Sequence, residues 1–277
     1  MSHSKCLNTQ YLNGPVRGVV CPKLIRWETL FAQYAPVFYE AISVTKQPVW
    51  ADNPANISSM KFNEMDGKIN RKSHEGPYEI DPITGLSLNP HGRTGIIGRG
   101  LLGRFGPNHA ADPLVTRWKK DENGDFVLNT EGNRILQFVA IKRGDTGEWA
   151  IPGGMVDAGD TVSLTLRKEF GEEALNSLEA SPEERDQLEK LLSVLFANGK
   201  LVYSGYVDDP RNTDNAWMET VCVNFHDDGN LFDKFKLHAG DDAVGVKWVD
   251  ITPDIQLYAS HSDFVHKVYE LKMKSIL

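Results

Sequence analysis

The stretch WAIPGGMVDAGDTVSLTLRKEFGEEA, residues 149–174, constrains the fold of this chain more than any other. It places three glutamates, Glu169, Glu172 and Glu173, within five positions. Residues i, i+3 and i+4 of a helix share a face, so the three carboxylates lie side by side. Leu166, Phe170 and Ala174 form a neighbouring stripe that can pack on a sheet. Like charges at this spacing cost about 0.2–0.5 kcal/mol each unless neutralised, and Gly171 adds about 1 kcal/mol relative to alanine in a helix interior. A segment that opposes its own local structure twice marks a functional site. A plain solvated face, relieved by Arg167, Lys168 and the Lys168–Glu172 pair, is the competing explanation. The context weighs against it: a strand ends in AIPGG, a short loop turns, and the acidic helix begins about a turn later. Carboxylates beside a strand end suit a hard cation such as Mg²⁺, which keeps open positions for water and phosphate.

The flanks supply the rest of an α/β or α+β layer. ILQFVAIKR (135–143) reads as a buried strand. A second helix is predicted from Ser181 to about Asn198: Ser181 caps it, Pro182 takes the first helical position, Glu184 closes a capping box, and Gly199 follows the end. Leu188, Leu191, Leu192, Leu195 and Phe196 recur on one face. Strands are predicted at 200–207, 216–226 and 244–251, with a closing helix over about 262–274.

Residues 1 to about 125 have a different texture, rich in Gly, Pro, Asn and short apolar runs. Residues 27–44, broken by Pro36, look extended or partly stranded, and the Gly-rich segment 89–113 reads as loop and turn. KKDENGDFVLNTEGN (119–133) carries two Gly-centred turns and reads as a hairpin near a domain boundary. The division expected is an N-terminal, substrate-contacting cap domain over 1–125 and a catalytic domain over 126–277.

A net charge of -8 argues against a nucleic-acid binder, which would carry a basic patch for phosphates. An anionic small molecule remains compatible, because a divalent cation can bridge carboxylates to phosphate. Cys6, Cys21 and Cys222 form no C-x-x-C pair and read as reduced thiols of an intracellular compartment. No apolar run approaches the ~18 residues of a membrane span, so no direct membrane insertion is expected of this segment. Neither a signal-peptide core nor an Arg-rich transit peptide is visible at its start.

From Gly154 onward the sequence resembles the Nudix hydrolases, whose signature is G-x5-E-x7-R-E-U-x-E-E-x-G-U with U a bulky apolar residue. Asp160 stands where the first Glu is expected, and Lys168 stands at the Arg position. Glu169, Phe170, Gly171, Glu172 and Glu173 keep the metal-binding core EFGEE; Leu175 and Asn176 replace the final Gly-U. The resemblance implies an α/β/α sandwich with a mixed sheet, behind a smaller strand- and loop-rich N-terminal domain. It also implies Glu169, Glu172 and Glu173 as metal ligands and catalytic residues, with Mg²⁺ as cofactor and Mn²⁺ as a possible substitute.

GRTGIIGRGLLGRFGPNHAADP, GYVDDPRNTDNAWMET and LYASH are similar to the ADP-ribose pyrophosphatase branch found in animal mitochondria. They also resemble the Nudix-type domain at the cytoplasmic C-terminus of melastatin-type TRP channels. This implies ADP-ribose as the small-molecule partner, hydrolysed to AMP and ribose 5-phosphate. Asp209 and Arg211 resemble ligand contacts, and Tyr258 and His261 resemble contacts to the terminal ribose. Asp241 or Asp242, in the loop HAGDDAVG, matches the acidic loop that supplies a general base in this branch, with Glu219 and Glu173 as rivals. GRGLLG (98–103) fits a dinucleotide-binding G-x-G-x-x-G, but no helical pattern follows it, so that reading is set aside. Arg93, Arg99 and Arg104 nearby are candidates to face a diphosphate, and Phe105 to stack on adenine.

Two function classes fit: a free metal-dependent hydrolase of mitochondria or cytosol, and an ADP-ribose sensor domain on the cytosolic face of a larger channel chain. The intact EFGEE favours catalytic competence in either.

Overall fold

A computed structural model describes residues 3–229, 231–233, 237–240 and 243–274. The chain divides into two compact units that are each discontinuous in sequence. The first comprises Met1–Ala110, Met155–Asp160 and Ser204–Thr220; the second comprises Ala111–Gly154, Thr161–Tyr203 and Val221–Leu277.

The first unit is poor in helix. Strands β1 (Val37–Glu40) and β4 (Ile96–Gly100) pair in parallel, with Val37 opposite Ile96. A one-turn helix, α1 (Ile42–Thr45), follows β1, and β2 (Met65–Asp66) and β3 (Ile69–Asn70) form a two-residue ladder. The Gly-rich segment 89–113, expected as loop, instead supplies β4 and the start of β5 (Gly106–Trp118). Its glycines mark close approaches as well as turns. At Gly98 φ is +88° and a Cβ would lie 2.9 Å from the Tyr39 carbonyl, so only glycine lets β4 run against β1.

Buried ion pairs consolidate this unit. Arg71 grips both oxygens of Asp52 at 2.8 and 2.9 Å and reaches Asp66 at 2.8 Å. Arg99 pairs with both oxygens of Glu40 at 2.7 and 2.9 Å. Burial alone would raise the Asp52 carboxyl, but the Arg71 guanidinium outweighs it and holds Asp52 below the usual carboxylate range. Two apolar clusters fill the remaining interior: Leu102, Ala110, Val207, Ala216 and Met218 in one, and Tyr78, Tyr206 and Trp217 in the other.

The second unit is a sheet with helices. Its strands are β6 (Leu136–Arg143), β7 (Trp149–Ala150), β11 (Ala243–Asp250) and parts of β5, β8 (Gly154–Met155), β9 (Lys200–Tyr206) and β10 (Ala216–His226), whose remaining residues belong to the first unit. The order is β11-β6-β5-β10-β9, with β7 on β6 and β8 on β5. β11 and β5 both run antiparallel to β6, with Val249 and Thr116 flanking Phe138. Residues 136–141 of β6 are all buried, the unbroken pattern of a strand covered on both faces. Leu136, Phe138 and Ala140 pack with Phe264, Val265 and Val268 of α4 (His261–Lys274). α2 (Val162–Leu175) also packs on β6 and β11. Leu166, Phe170 and Ala174 form its buried stripe, as the helical spacing predicts.

α2 starts where the Thr161 side chain accepts from the Leu164 amide at 3.2 Å. It stops at Asn176, whose left-handed conformation (φ 50°, ψ 42°) is one that asparagine tolerates better than other residues with a Cβ. α3 (Pro182–Leu195) carries the full capping box of Ser181 and Glu184.

Candidate active site

Four residues between β7 and α2, Ile151-Pro152-Gly153-Gly154, form a turn to which acidic side chains come from several elements of the second unit. Glu173 is only 3% exposed, and its Oε2 accepts the Gly153 amide hydrogen at 2.7 Å. The Glu169 carboxylate lies over Gly154: a methyl group on that Cα would sit 2.4 Å from it. Beside Gly153 a methyl would meet Asp112 Oδ1 of β5 at 2.3 Å. Both glycines are therefore steric necessities, because carboxylates occupy the space where side chains would project. Glu172, half-buried, lies between Glu169 and Glu173 in α2.

From the other side His261, at the start of α4, receives the Ile151 amide hydrogen on Nδ1 at 2.9 Å. A backbone amide can only donate, so neutral His261 carries its proton on Nε2, which faces Asp112 Oδ1 at 3.9 Å. Tyr258 closes the same corner. Its amide donates to the Trp149 carbonyl at 2.9 Å, and the Arg143 guanidinium lies 4.5 Å from its ring centre. The donor set offered by Glu169, Glu172 and Glu173 is all carboxylate oxygen, the chemistry a hard divalent cation requires. Glu173 is desolvated and aimed by a backbone amide, and Glu169 is fixed against backbone, so the residues present fit such an ion.

The loop after residue 236 docks on the last turn of α2. His238 donates its amide hydrogen to the Ala174 carbonyl at 2.9 Å, and Gly240 donates to the Glu173 carbonyl at 3.2 Å. A Cβ on Gly240 would lie 2.5 Å from the Glu172 carbonyl. Asp241 and Asp242, the candidate general bases, lie outside the described residues.

The remaining candidates belong to the first unit. Arg211 binds both oxygens of Asp209 through Nε and Nη2, at 2.8 and 2.7 Å. Burial would raise the Asp209 carboxyl, but the charge and hydrogen bonds of Arg211 win and hold it below the ordinary value. Arg104 pairs with Asp52 at 3.0 Å. Phe105 is buried, with the Arg99 guanidinium 4.9 Å from its ring centre. Arg93 spends its guanidinium on backbone carbonyls, Leu24 and Trp27 among them, and Arg99 is engaged by Glu40. Glu219 is fully buried and accepts hydrogen bonds on both oxygens.

A NUDIX domain model matches residues 123–266, more than half the chain. The chain belongs to the Nudix family. A second model, described as NUDT9-like, N-terminal domain, matches residues 20–106 of this Nudix protein. The mitochondrial ADP-ribose pyrophosphatase of Rattus norvegicus is 54% identical over 275 residues, covering 97% of this chain and 78% of the relative. The transient receptor potential cation channel subfamily M member-like 2 of Nematostella vectensis is 49% identical over 278 residues, 98% of this chain. Subfamily M member 2 of Mus musculus is 34% identical over 279 residues, 95% of this chain. This chain spans only 18% and 17% of the length of those two channels.

Sequence reasoning about this Nudix chain missed Asp112, which faces both Gly153 and His261. The miss follows from taking PNHAADP as loop. Once that segment is a strand of the same sheet, an acid set between buried Ala111 and the apolar run from Pro113 is the signal to look for. It also missed His74 and His109, which stand beside Glu219 in the first unit.

Proposed function

We propose that this Nudix hydrolase cleaves the diphosphate of ADP-ribose, yielding AMP and ribose 5-phosphate. The observation that carries the reading is the IPGG turn with Glu173 bonded to Gly153 and Glu169 seated on Gly154. Such an arrangement fixes carboxylates before any ligand arrives, the preorganisation that phosphoryl chemistry needs. Glu169, Glu172 and Glu173 would hold the divalent ion, Mg²⁺ with Mn²⁺ as a substitute. When bound, that ion neutralises the diphosphate and lowers the pKa of the attacking water.

The chain's own groups do the rest. The water oxygen bonds to one phosphorus as the bridging P–O bond breaks, and a carboxylate takes the water proton. Asp241 or Asp242 is assigned that proton, because their loop is anchored to α2 through His238 and Gly240. Asp209 and Arg211, and Arg104 with Phe105, are assigned to the nucleotide, with residues 1–125 as the cap and 126–277 as the catalytic domain. Tyr258 and His261 are assigned to the terminal ribose. The 54% identity with an enzyme named for this reaction supports the substrate.

The second reading is an ADP-ribose-binding domain of a melastatin-type channel, still able to hydrolyse its ligand. The 49% identity with a channel across 98% of this chain favours it. Among the described residues no helix is long and apolar enough to cross a membrane. The free-enzyme reading places the protein in mitochondria or cytosol, and the channel reading places it at the cytosolic face.

Incubation of the purified chain with ADP-ribose and Mg²⁺, with products separated by chromatography, tests the proposal. AMP and ribose 5-phosphate in equal amounts are expected. Absence of both, or the same yield after chelation of divalent ions, contradicts it.

A further inference from the structure

We propose that His74, His109 and Glu219 form a second metal site, made of none of the α2 carboxylates and suited to a divalent transition ion of the Zn²⁺ class. All three belong to the first unit: His74 follows β3, His109 lies in β5 and Glu219 in β10. Their ligand atoms all lie within 4.8 Å of one another.

His109 carries the argument. Both of its ring nitrogens are buried and neither makes a hydrogen bond of full geometry; the ring's weaker polar contacts are with the backbone of Lys72 and Asn70. Buried polar atoms are nearly always satisfied, and an imidazole held only by weak backbone contacts has a nitrogen left to bind a ligand. An uncharged imidazole offers a metal ion a lone pair on one nitrogen while the other keeps its proton.

Glu219 is aimed in the way a metal ligand is. Trp217 Nε1–H donates to Oε1 at 2.8 Å and the His74 amide donates to Oε2 at 2.7 Å, leaving a lone pair on each oxygen. The second of these bonds also fixes His74 beside the carboxylate. The two imidazoles meet edge to face, with ring centres 4.8 Å apart. Ligands at metal distances of about 2.0–2.2 Å stand roughly 3–3.6 Å apart. His74 is exposed, which gives an ion an entry path from solvent, and binding would draw the three ligands closer together.

Two imidazoles and one carboxylate favour Zn²⁺, Co²⁺ or Ni²⁺ over Mg²⁺, which prefers an all-oxygen shell. Three protein ligands leave positions for water or a small anion.

The test is a titration of the metal-free full chain with Zn²⁺ in excess Mg²⁺, followed by calorimetry, with Co²⁺ as a visible-absorption probe of imidazole ligation. One equivalent is expected to bind, and to bind equally well in Glu172→Gln. Loss of an outer-shell partner already weakens metal affinity roughly 10–100-fold, so His74→Ala should lose at least that much. His74 is exposed, so this variant keeps the fold, and circular dichroism verifies that. His109→Gln should lose the Co²⁺ bands. Absence of Zn²⁺ binding in Mg²⁺, unchanged affinity in His74→Ala, or loss of the site in Glu172→Gln would each overturn the proposal.

Discussion

At Gly154 the backbone passes so close to the Glu169 carboxylate that a single methyl group would displace it. Misplacing a catalytic group by about 1 Å costs on the order of 100-fold in rate. Gly154→Ala is therefore expected to lower kcat for ADP-ribose by about that factor with a much smaller change in thermal midpoint; an unchanged kcat would remove Glu169 from the site. The Asp209–Arg211 pair makes a different kind of demand. Asp209 is almost fully buried, whereas the Arg211 side chain is 28% exposed. Removing one partner of a fully buried pair costs about 3–5 kcal/mol, and partial exposure reduces that to an expected 2–3 kcal/mol for Arg211→Ala, on the order of magnitude only. Because the folded Asp209 carboxyl lies below its ordinary value, the pair's contribution is complete above about pH 4 and fades as pH falls through the folded value. Urea denaturation of parent and variant should show a gap at pH 7 that narrows towards pH 3. A gap that widens in acid would contradict the assigned sign.

At the scale of elements, legibility followed the strength of the local signal. α3 was readable because its capping box, Pro182 and apolar stripe all agree, and the turns at Gly124 and Gly132 appear with bridges Lys120–Phe126 and Leu128–Arg134. α2 was readable from Leu166, Phe170 and Ala174 alone. β4 and β5 were not, because their glycines and prolines lower strand propensity, and pairing partners such as β1 are distant in sequence. The site follows the same division. The α2 glutamates are local in sequence and could be proposed from it; Asp112, His74 and His109 become neighbours of their partners only through the fold. The loop at residues 238–240 joins the two kinds of information, since its amides bind the end of α2. Gly240→Ala would place a Cβ 2.5 Å from the Glu172 carbonyl and should detach that loop. It is expected to lower kcat with little change in KM, as are Asp241→Ala or Asp242→Ala, by about 100-fold or more for whichever acts as base. Parental kcat in all three would exclude the loop from the chemistry.

For the molecule as a whole, each compact unit holds its own candidates: the carboxylates, Tyr258 and His261 in one, and Asp209, Arg211, Arg104 and Phe105 in the other. Variants in the first unit should therefore act mainly on KM, and those at the IPGG turn mainly on kcat. The length of the native chain separates the free-enzyme reading from the channel-domain reading. The central claim is that Glu169, Glu172 and Glu173 endure their mutual repulsion because a divalent ion lies among them. Its most direct test is ADP-ribose turnover by the parent, Glu172→Gln and Glu173→Gln across a Mg²⁺ titration. The parent should be inactive after chelation and recover with Mg²⁺, while both variants fall by at least 100-fold, on the order expected for loss of electrostatic stabilisation. Parental turnover in both variants, or turnover indifferent to Mg²⁺, would contradict it.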